Sequence, residues 1–554
     1  MTYSSHNRGY LHGAVILAAA VAIVRVIGAV YRIPIAWILG TEGMSTFTVA
    51  FSVYQALLIV STAGLPVALS KLVASADALE RPAQVRQVYV VGRNAFVFIG
   101  FVSFLIMAVF HRPMANYLLQ SPSAGYAILA LSPAVFFVGL ISAYRGYCQG
   151  LSEMMPTSVS QIMEALARLI LGLALAGLFA YWGFSSPVTV SGAILGTTVG
   201  AALAAGYLFF AKRKVDRRRH MPTGLDTPDS NRRILRNLRS IAIPLTLGAS
   251  IFSFITIANN SVTLFRLRDV AIGYGYDYEM AYAWAQNLHG TYSFTLPLFN
   301  LPSSFIIPIT VALIPAISAF LAQGDGEGAK KTSESGIRVA CLLALPAGIG
   351  LAVLAEPIMH VFYGEFATQG PGIMAWMGIA AFFLCFFQAT NCVLQAYGFQ
   401  RFTMYTLPIG GLIGVGLNWI LLPIPQISIY GTAISMVACY AIISVMNLVL
   451  VKRYIPNPPS FKKILIRPLL CTVVMAVTAW AVYGLMSGLL FELMTAPDAH
   501  AASPRLPMAL AMVPAIALAM LVYLVLIIAT RALTKEDMHM LPKGERLAKL
   551  LWVR

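Results

Sequence analysis

Fourteen apolar stretches, most of them about 20 residues or longer, divide this chain of 554 residues. A hydrocarbon core about 30 Å thick is crossed by roughly 20 apolar residues in an α-helix. Within it every peptide group must find its partner inside the protein, which leaves helices or a closed barrel. Barrel strands alternate apolar and polar residues over about ten positions. Stretches such as residues 506–530 are apolar almost throughout, so helices are expected. Only 11% of the residues are charged, against roughly 25% in a soluble domain. A soluble enzyme is excluded.

The spans are placed at residues 11–39, 45–73, 88–110, 126–147, 157–183, 187–211, 241–265, 291–320, 337–358, 373–397, 403–424, 429–451, 467–491 and 506–530. Cytoplasmic loops carry an excess of Lys and Arg, and here every second loop is basic. Arg81, Arg86, Lys330, Lys331, Lys452, Arg453, Lys462, Lys463 and Arg531 fall in one set of loops and tails. The opposite set holds Arg112, Arg266, Arg268 and Arg505. Both termini are therefore expected in the cytoplasm, with the first span retained rather than cleaved as a signal peptide. The net charge of +17 reads as this topology signal, not as a nucleic-acid surface.

The chain divides at a basic linker, residues 212–240, which contains KRKVDRRRH and NRRILRNLR. The linker is read as a solvated loop that fixes orientation; binding to acidic lipid headgroups is the alternative. The segments on either side resemble each other. Leu65-Pro66 pairs with Ile314-Pro315, Gln149 with Gln395, and Gly192-Ala193-Ile194 with Gly431-Thr432-Ala433-Ile434. The expected architecture is an all-α membrane protein of two pseudo-symmetric lobes, residues 1–211 and 241–451. A cytoplasmic loop (452–466), two extra helices (467–530) and a tail (531–554) follow. Parallel repeats of this kind build two-lobed transporters.

Ionisable groups at membrane depth are costly and mark pathways, cavities or pairs. Arg25 and Arg32 stand seven apart, on one face of span one, with Gly28 between them. Two guanidiniums suit an anionic, phosphate-bearing ligand. Arg32 alone is also placed to snorkel outward. Glu164 and Arg168 stand at i and i+4 in span five, the favourable order for a helical ion pair. Lys71 is expected at the cytoplasmic mouth of span two. Asn259, Asn260, Ser261, Thr263 and Asn300 either line a cavity or make polar helix contacts. Pro66 in span two, with Pro297, Pro302, Pro308 and Pro315 in span eight, removes backbone donors. These prolines are read as hinges or as static kinks.

No GK[ST] phosphate loop, HExxH or GxSxG sequence occurs, and no acidic pair is set as in a glycosyl-transfer site. The six cysteines lie in or beside apolar stretches without CxxC pairing. No catalytic residue, metal or cofactor is assigned.

Two ordered segments carry a resemblance. LHGAVILAAAVAIVRVIGAVYRIPIAWILGTEG with FSVYQALLIVSTAGLPVALSKLVA, and RGYCQGLSEMMPTSVSQIMEALARLILG, resemble the stage V sporulation protein B group of polysaccharide exporters. That group lies within the multidrug/oligosaccharidyl-lipid/polysaccharide exporter superfamily and is related to MurJ-type lipid II flippases. The resemblance implies fourteen helices in two lobes, and movement of an undecaprenyl-diphosphate-linked peptidoglycan precursor from the inner to the outer leaflet of the bacterial cytoplasmic membrane. It places Arg25 and Arg32 in a cationic cavity and the lipid tail toward spans thirteen and fourteen. The sequence departs from the Gram-negative flippases at TYSFTLPLFNLP, where they carry an arginine. A cationic cavity here would draw instead on Lys71 or Arg168.

Membrane lipids and cell-wall synthesis proteins are the expected partners, and a monovalent cation gradient or the membrane potential the expected driving force. The competing readings are export of another undecaprenyl-linked glycan, a drug/cation antiporter of the same superfamily, and a non-transporting envelope scaffold. An antiporter for cationic drugs would carry acids in its cavity, and the mid-span acid here is Glu164, beside Arg168.

Overall fold

A computed structural model describes residues 3–62, 64–219, 226–364, 368–494 and 505–533. The side chains of residues 1–15 and the tail beyond residue 533 lie outside the described set. Fifteen α-helices are described: α1 (Tyr3–Thr62), α2 (Leu65–Ala78), α3 (Pro82–Pro113), α4 (Ala124–Gly150), α5 (Met155–Tyr181), α6 (Ser186–Arg219), α7 (Asn231–Gly273) and α8 (Tyr278–Ala322). They continue with α9 (Gly326–Val353), α10 (Ala355–Tyr363), α11 (Gly370–Ala396), α12 (Thr403–Leu421), α13 (Tyr430–Tyr454), α14 (Phe461–Met494) and α15 (Arg505–Ala529).

Among the described residues, thirteen segments are long and apolar enough to cross a membrane, and the first of them holds two spans. At a rise of about 1.5 Å per residue, the 60 residues of α1 would measure about 90 Å, three times a hydrocarbon core. The break is Gly40, at φ 63° and ψ −170°, a backbone region essentially reserved for glycine. Spans one and two therefore meet there, and the total is fourteen. Gly40→Ala is expected to cost about 1–3 kcal/mol, read as a lower thermal midpoint in detergent; an unchanged midpoint would contradict this strain.

Within span two, α1 ends at Thr62 and α2 begins at Leu65, beside Pro66. Proline takes a first-turn position of α2, where a missing N–H costs nothing, so it starts a helix rather than bending one. Gly64 is required by close approach: a Cβ there would collide with the Ala242 carbonyl of α7. Pro302 and Pro315, by contrast, sit within α8, which runs unbroken for 45 residues through four prolines.

The linker differs from its reading as a loop. Helix α6 extends to Arg219 and α7 begins at Asn231, so most of residues 212–240 is helical. The cause is amphipathic spacing: Ile234, Leu238 and Ala242 are buried in the same core as Leu69, Val85 and Val88. The described residues just before α7 are tied down by acids. Asp226 accepts hydrogen bonds from the backbone N–H groups of Ala83 (2.9 Å) and Gln84 (3.0 Å) at the start of α3. Gln84 also exchanges bonds with Asp229. A carboxylate on the orphan donors of a helix start contributes about 1 kcal/mol. Asp226→Asn is expected to speed trypsin cleavage between residues 213 and 233 by about fivefold; an unchanged rate would show that the linker is held otherwise.

The chain forms two compact units, Met1–Gly290 and Thr291–Arg554. In the first, α7 packs on α1, α2 and α3, and α5 pairs closely with α6. In the second, α11 packs between α9 and α13, while α14 and α15 pair with each other. Tyr523 of α15 donates a hydrogen bond to the Leu342 carbonyl of α9 (2.8 Å). The C-terminal pair packs on α9 and α10.

Candidate functional site

The first unit carries a ladder of charge and aromatic rings. Glu164 of α5 receives two guanidiniums: Arg168 one turn on (3.3 Å), and Arg145 of α4 (3.3 Å). Arg145 Nε also donates to Ser160 Oγ (3.0 Å), whose own hydroxyl donates to the Thr157 carbonyl. The side chains are largely shielded, at 14% exposure for Glu164, 19% for Arg145 and 24% for Arg168. Small residues on α6 make this placement possible: a Cβ at Gly200 would lie 3.0 Å from the Glu164 carbonyl, and one at Gly196 would collide with Gly172.

Beyond Arg168 the ladder continues over rings. Phe47 and Phe51, one turn apart after the Gly40 break, stack with centroids 5.6 Å apart. The Arg168 guanidinium lies 5.8 Å from the Phe51 centroid. Arg32 lies 5.9 Å from the same centroid and 5.7 Å from that of Phe47. Both distances are within cation–π range. Tyr31, whose hydroxyl donates to the Ala193 carbonyl of α6 (3.2 Å), fixes the face of α1 that presents Arg32.

Arg25 is half-buried on the same helix face and has no carboxylate partner among the described residues. A Cβ added to Gly28, between Arg25 and Arg32, would meet open space. No described residue lies within 4 Å of that position, so the surface between Arg25 and Arg32 is open among the described residues.

The structure therefore groups Arg32, Arg168 and Glu164, and leaves Arg25 on the same α1 face as Arg32. Lys71 is exposed on α2 and is outside these ion pairs. Asn259 and Asn260 are buried on α7, where the Thr263 hydroxyl donates to the Asn259 carbonyl. Asn300 is exposed and turns back to donate to the Leu296 carbonyl of its own helix (2.8 Å). Sequence reasoning missed Arg145, Phe47 and Phe51. The phenylalanines carry a signal, i and i+4 spacing just past a glycine break. Arg145 carries only that of a charge near the end of span four, because its partner is on the next helix.

Residues 10–321 match the family described as Polysaccharide biosynthesis protein, more than half of the chain. The chain belongs to this family. Residues 287–420 also match the MatE family. The polysaccharide biosynthesis chain is 26% identical over 462 residues to stage V sporulation protein B of Bacillus subtilis, covering 82% of this chain and 86% of that one. It is 25% identical over 491 residues to the lipid II flippase MurJ of the same organism, covering 85% and 87%. Among solved structures, a lipid II flippase MurJ in an inward closed conformation superimposes with a TM-score of 0.64 at 15% identity, covering 92% of this chain and 98% of that one. This polysaccharide biosynthesis family member is a multi-pass membrane protein with the fold of that flippase, and its relatives are not enzymes.

Proposed function

We propose that this chain is a flippase that moves undecaprenyl-diphosphate-linked peptidoglycan precursor from the inner to the outer leaflet of the bacterial cytoplasmic membrane. The coarser statement, a transporter of lipid-linked or related substrates, rests on the family and the fold. The finer one rests on a single observation, the charge of the first unit. Among the described residues Arg145 and Arg168 both pair with Glu164, and Arg32 meets the Phe51 ring that Arg168 also meets, so the ladder brings together more guanidiniums than carboxylates. Sites for cationic drugs need the opposite balance. A diphosphate is anionic, with two oxygens on each tetrahedral phosphorus available to a planar guanidinium, which binds them through paired, charge-assisted hydrogen bonds.

Alternating access would carry the headgroup while its lipid tail stays in the bilayer. An inside-negative potential favours outward movement of an anion by about 2.3 kcal/mol per charge per 100 mV. A monovalent cation gradient is the other available drive. Both termini would be cytoplasmic, as the basic loops require.

The substrate class is tested by ligand-induced stabilisation of the purified protein. Undecaprenyl diphosphate is expected to raise the thermal midpoint in a saturable way, and undecaprenol is expected not to. Equal shifts with both, or a shift only with a lipophilic cation, would overturn the reading.

A further inference from the structure

The cytoplasmic end of α7 presents chemistry that the ladder does not use. Arg232, Arg236 and Arg239 are exposed along its first turns and make no ion pair among the described residues. They differ in this from Arg233, which pairs with Asp229 (3.6 Å). All three line an open cavity of about 1030 Å³ that ends at Ile243 and Pro244. Arg232 and Arg239 also border a second cleft of about 830 Å³, walled by α1, α2, α3 and α7. Its deeper wall is apolar: Val60, Ala95, Phe98, Ile99 and Leu247. Phe98 and Leu247 are 68% and 60% exposed there, left uncovered by the described residues.

The order along α7 decides what fits. From Asn231 to Leu247 the helix advances about 24 Å, passing from three arginines to bare apolar surface. By the charge alternation of the loops this is the cytoplasmic side, so the arginines stand at headgroup level and the cleft reaches into the inner leaflet. A soluble anion would satisfy the arginines and leave the cleft bare. A neutral lipid would fill the cleft and leave three cations uncompensated. One ligand answers both.

We propose that this cleft is a binding site for an anionic phospholipid of the inner leaflet, with its phosphate on Arg232, Arg236 and Arg239 and an acyl chain between α3 and α7. Because α7 packs on α1, α2 and α3, the lipid would brace the helices that support the arginine ladder. The inference does not depend on which glycan the chain moves.

The test uses the full chain in nanodiscs of equal parts phosphatidylglycerol and phosphatidylcholine, extracted gently, with retained lipid counted by mass spectrometry. The wild-type protein is expected to retain phosphatidylglycerol about fivefold or more over phosphatidylcholine. Combined Arg232→Gln, Arg236→Gln and Arg239→Gln should bring the ratio to unity. These arginines are exposed, so the variant should fold, and its elution and helicity would confirm it. Ala95→Trp, which fills the cleft and leaves every arginine, should also lose the retained lipid. Arg86→Gln, an exposed arginine outside the cleft, should not. Wild-type retention at the bulk ratio, or enrichment that survives the triple substitution, would overturn the proposal. Enrichment that survives Ala95→Trp would also overturn it, reducing the site to surface charge.

Discussion

Glu164→Gln is expected to abolish transport and to destabilise the protein by about 3 kcal/mol, the low end of the range for removing one partner from a buried ion pair. The carboxylate receives Arg145 from α4 and Arg168 from its own helix. Glutamine keeps its shape and removes its charge, leaving two shielded guanidiniums facing each other without compensation. The loss should be partly reversed by adding Arg145→Gln, because the second change removes the charge left stranded. A double-mutant cycle in thermal midpoints, run beside transport, checks this. Strict additivity, or a Glu164→Gln protein as stable and active as its parent, would show that the three groups do not act as a unit.

Arg32→Ala is expected to lower transport about 100-fold, and Arg32→Lys about tenfold. A bidentate guanidinium–phosphate contact comprises two charge-assisted hydrogen bonds, together worth about 3 kcal/mol or more. Lysine keeps the charge but loses the planar fork. Position matters as well as charge, because Arg32 and Arg168 both stand within cation–π distance of the Phe51 ring, at 5.9 and 5.8 Å. Phe51→Leu should therefore cost about tenfold while leaving both arginines in place. Initial rates at matched membrane abundance separate these cases. Equal rates for Arg32→Lys and wild type would mean that point charge alone is sensed, and equal rates for Arg32→Ala would remove Arg32 from the site.

Much of the fold was legible because a bilayer enforces it. Apolar length gave the fourteen spans, and the alternation of Arg81 and Lys330 with nearly bare loops ordered them. The linker was misread because its arginines dominate the composition. The spacing of Ile234 and Leu238, which makes the segment a docked helix, was outweighed by charge. Pro66 marks the break in span two, but its place in the first turn of α2, and the close approach to Ala242 that requires Gly64, depend on how the helices pack. In the site, the pair Glu164–Arg168 was readable as i and i+4 on one helix. Arg145 was not, since its contact with Glu164 depends on how α4 and α5 meet.

The central claim is that the arginines of α1 carry an anionic lipid-linked headgroup across the membrane. The most direct test is reconstitution of purified protein in liposomes containing a fluorescent undecaprenyl-diphosphate-linked precursor, with an impermeant quencher reporting its arrival in the quenched leaflet. Wild-type protein should expose the precursor to the quencher, and protein carrying Arg25→Ala with Arg32→Ala should not, at equal insertion. No exposure by correctly inserted wild-type protein, or equal exposure by the double variant, would contradict the account.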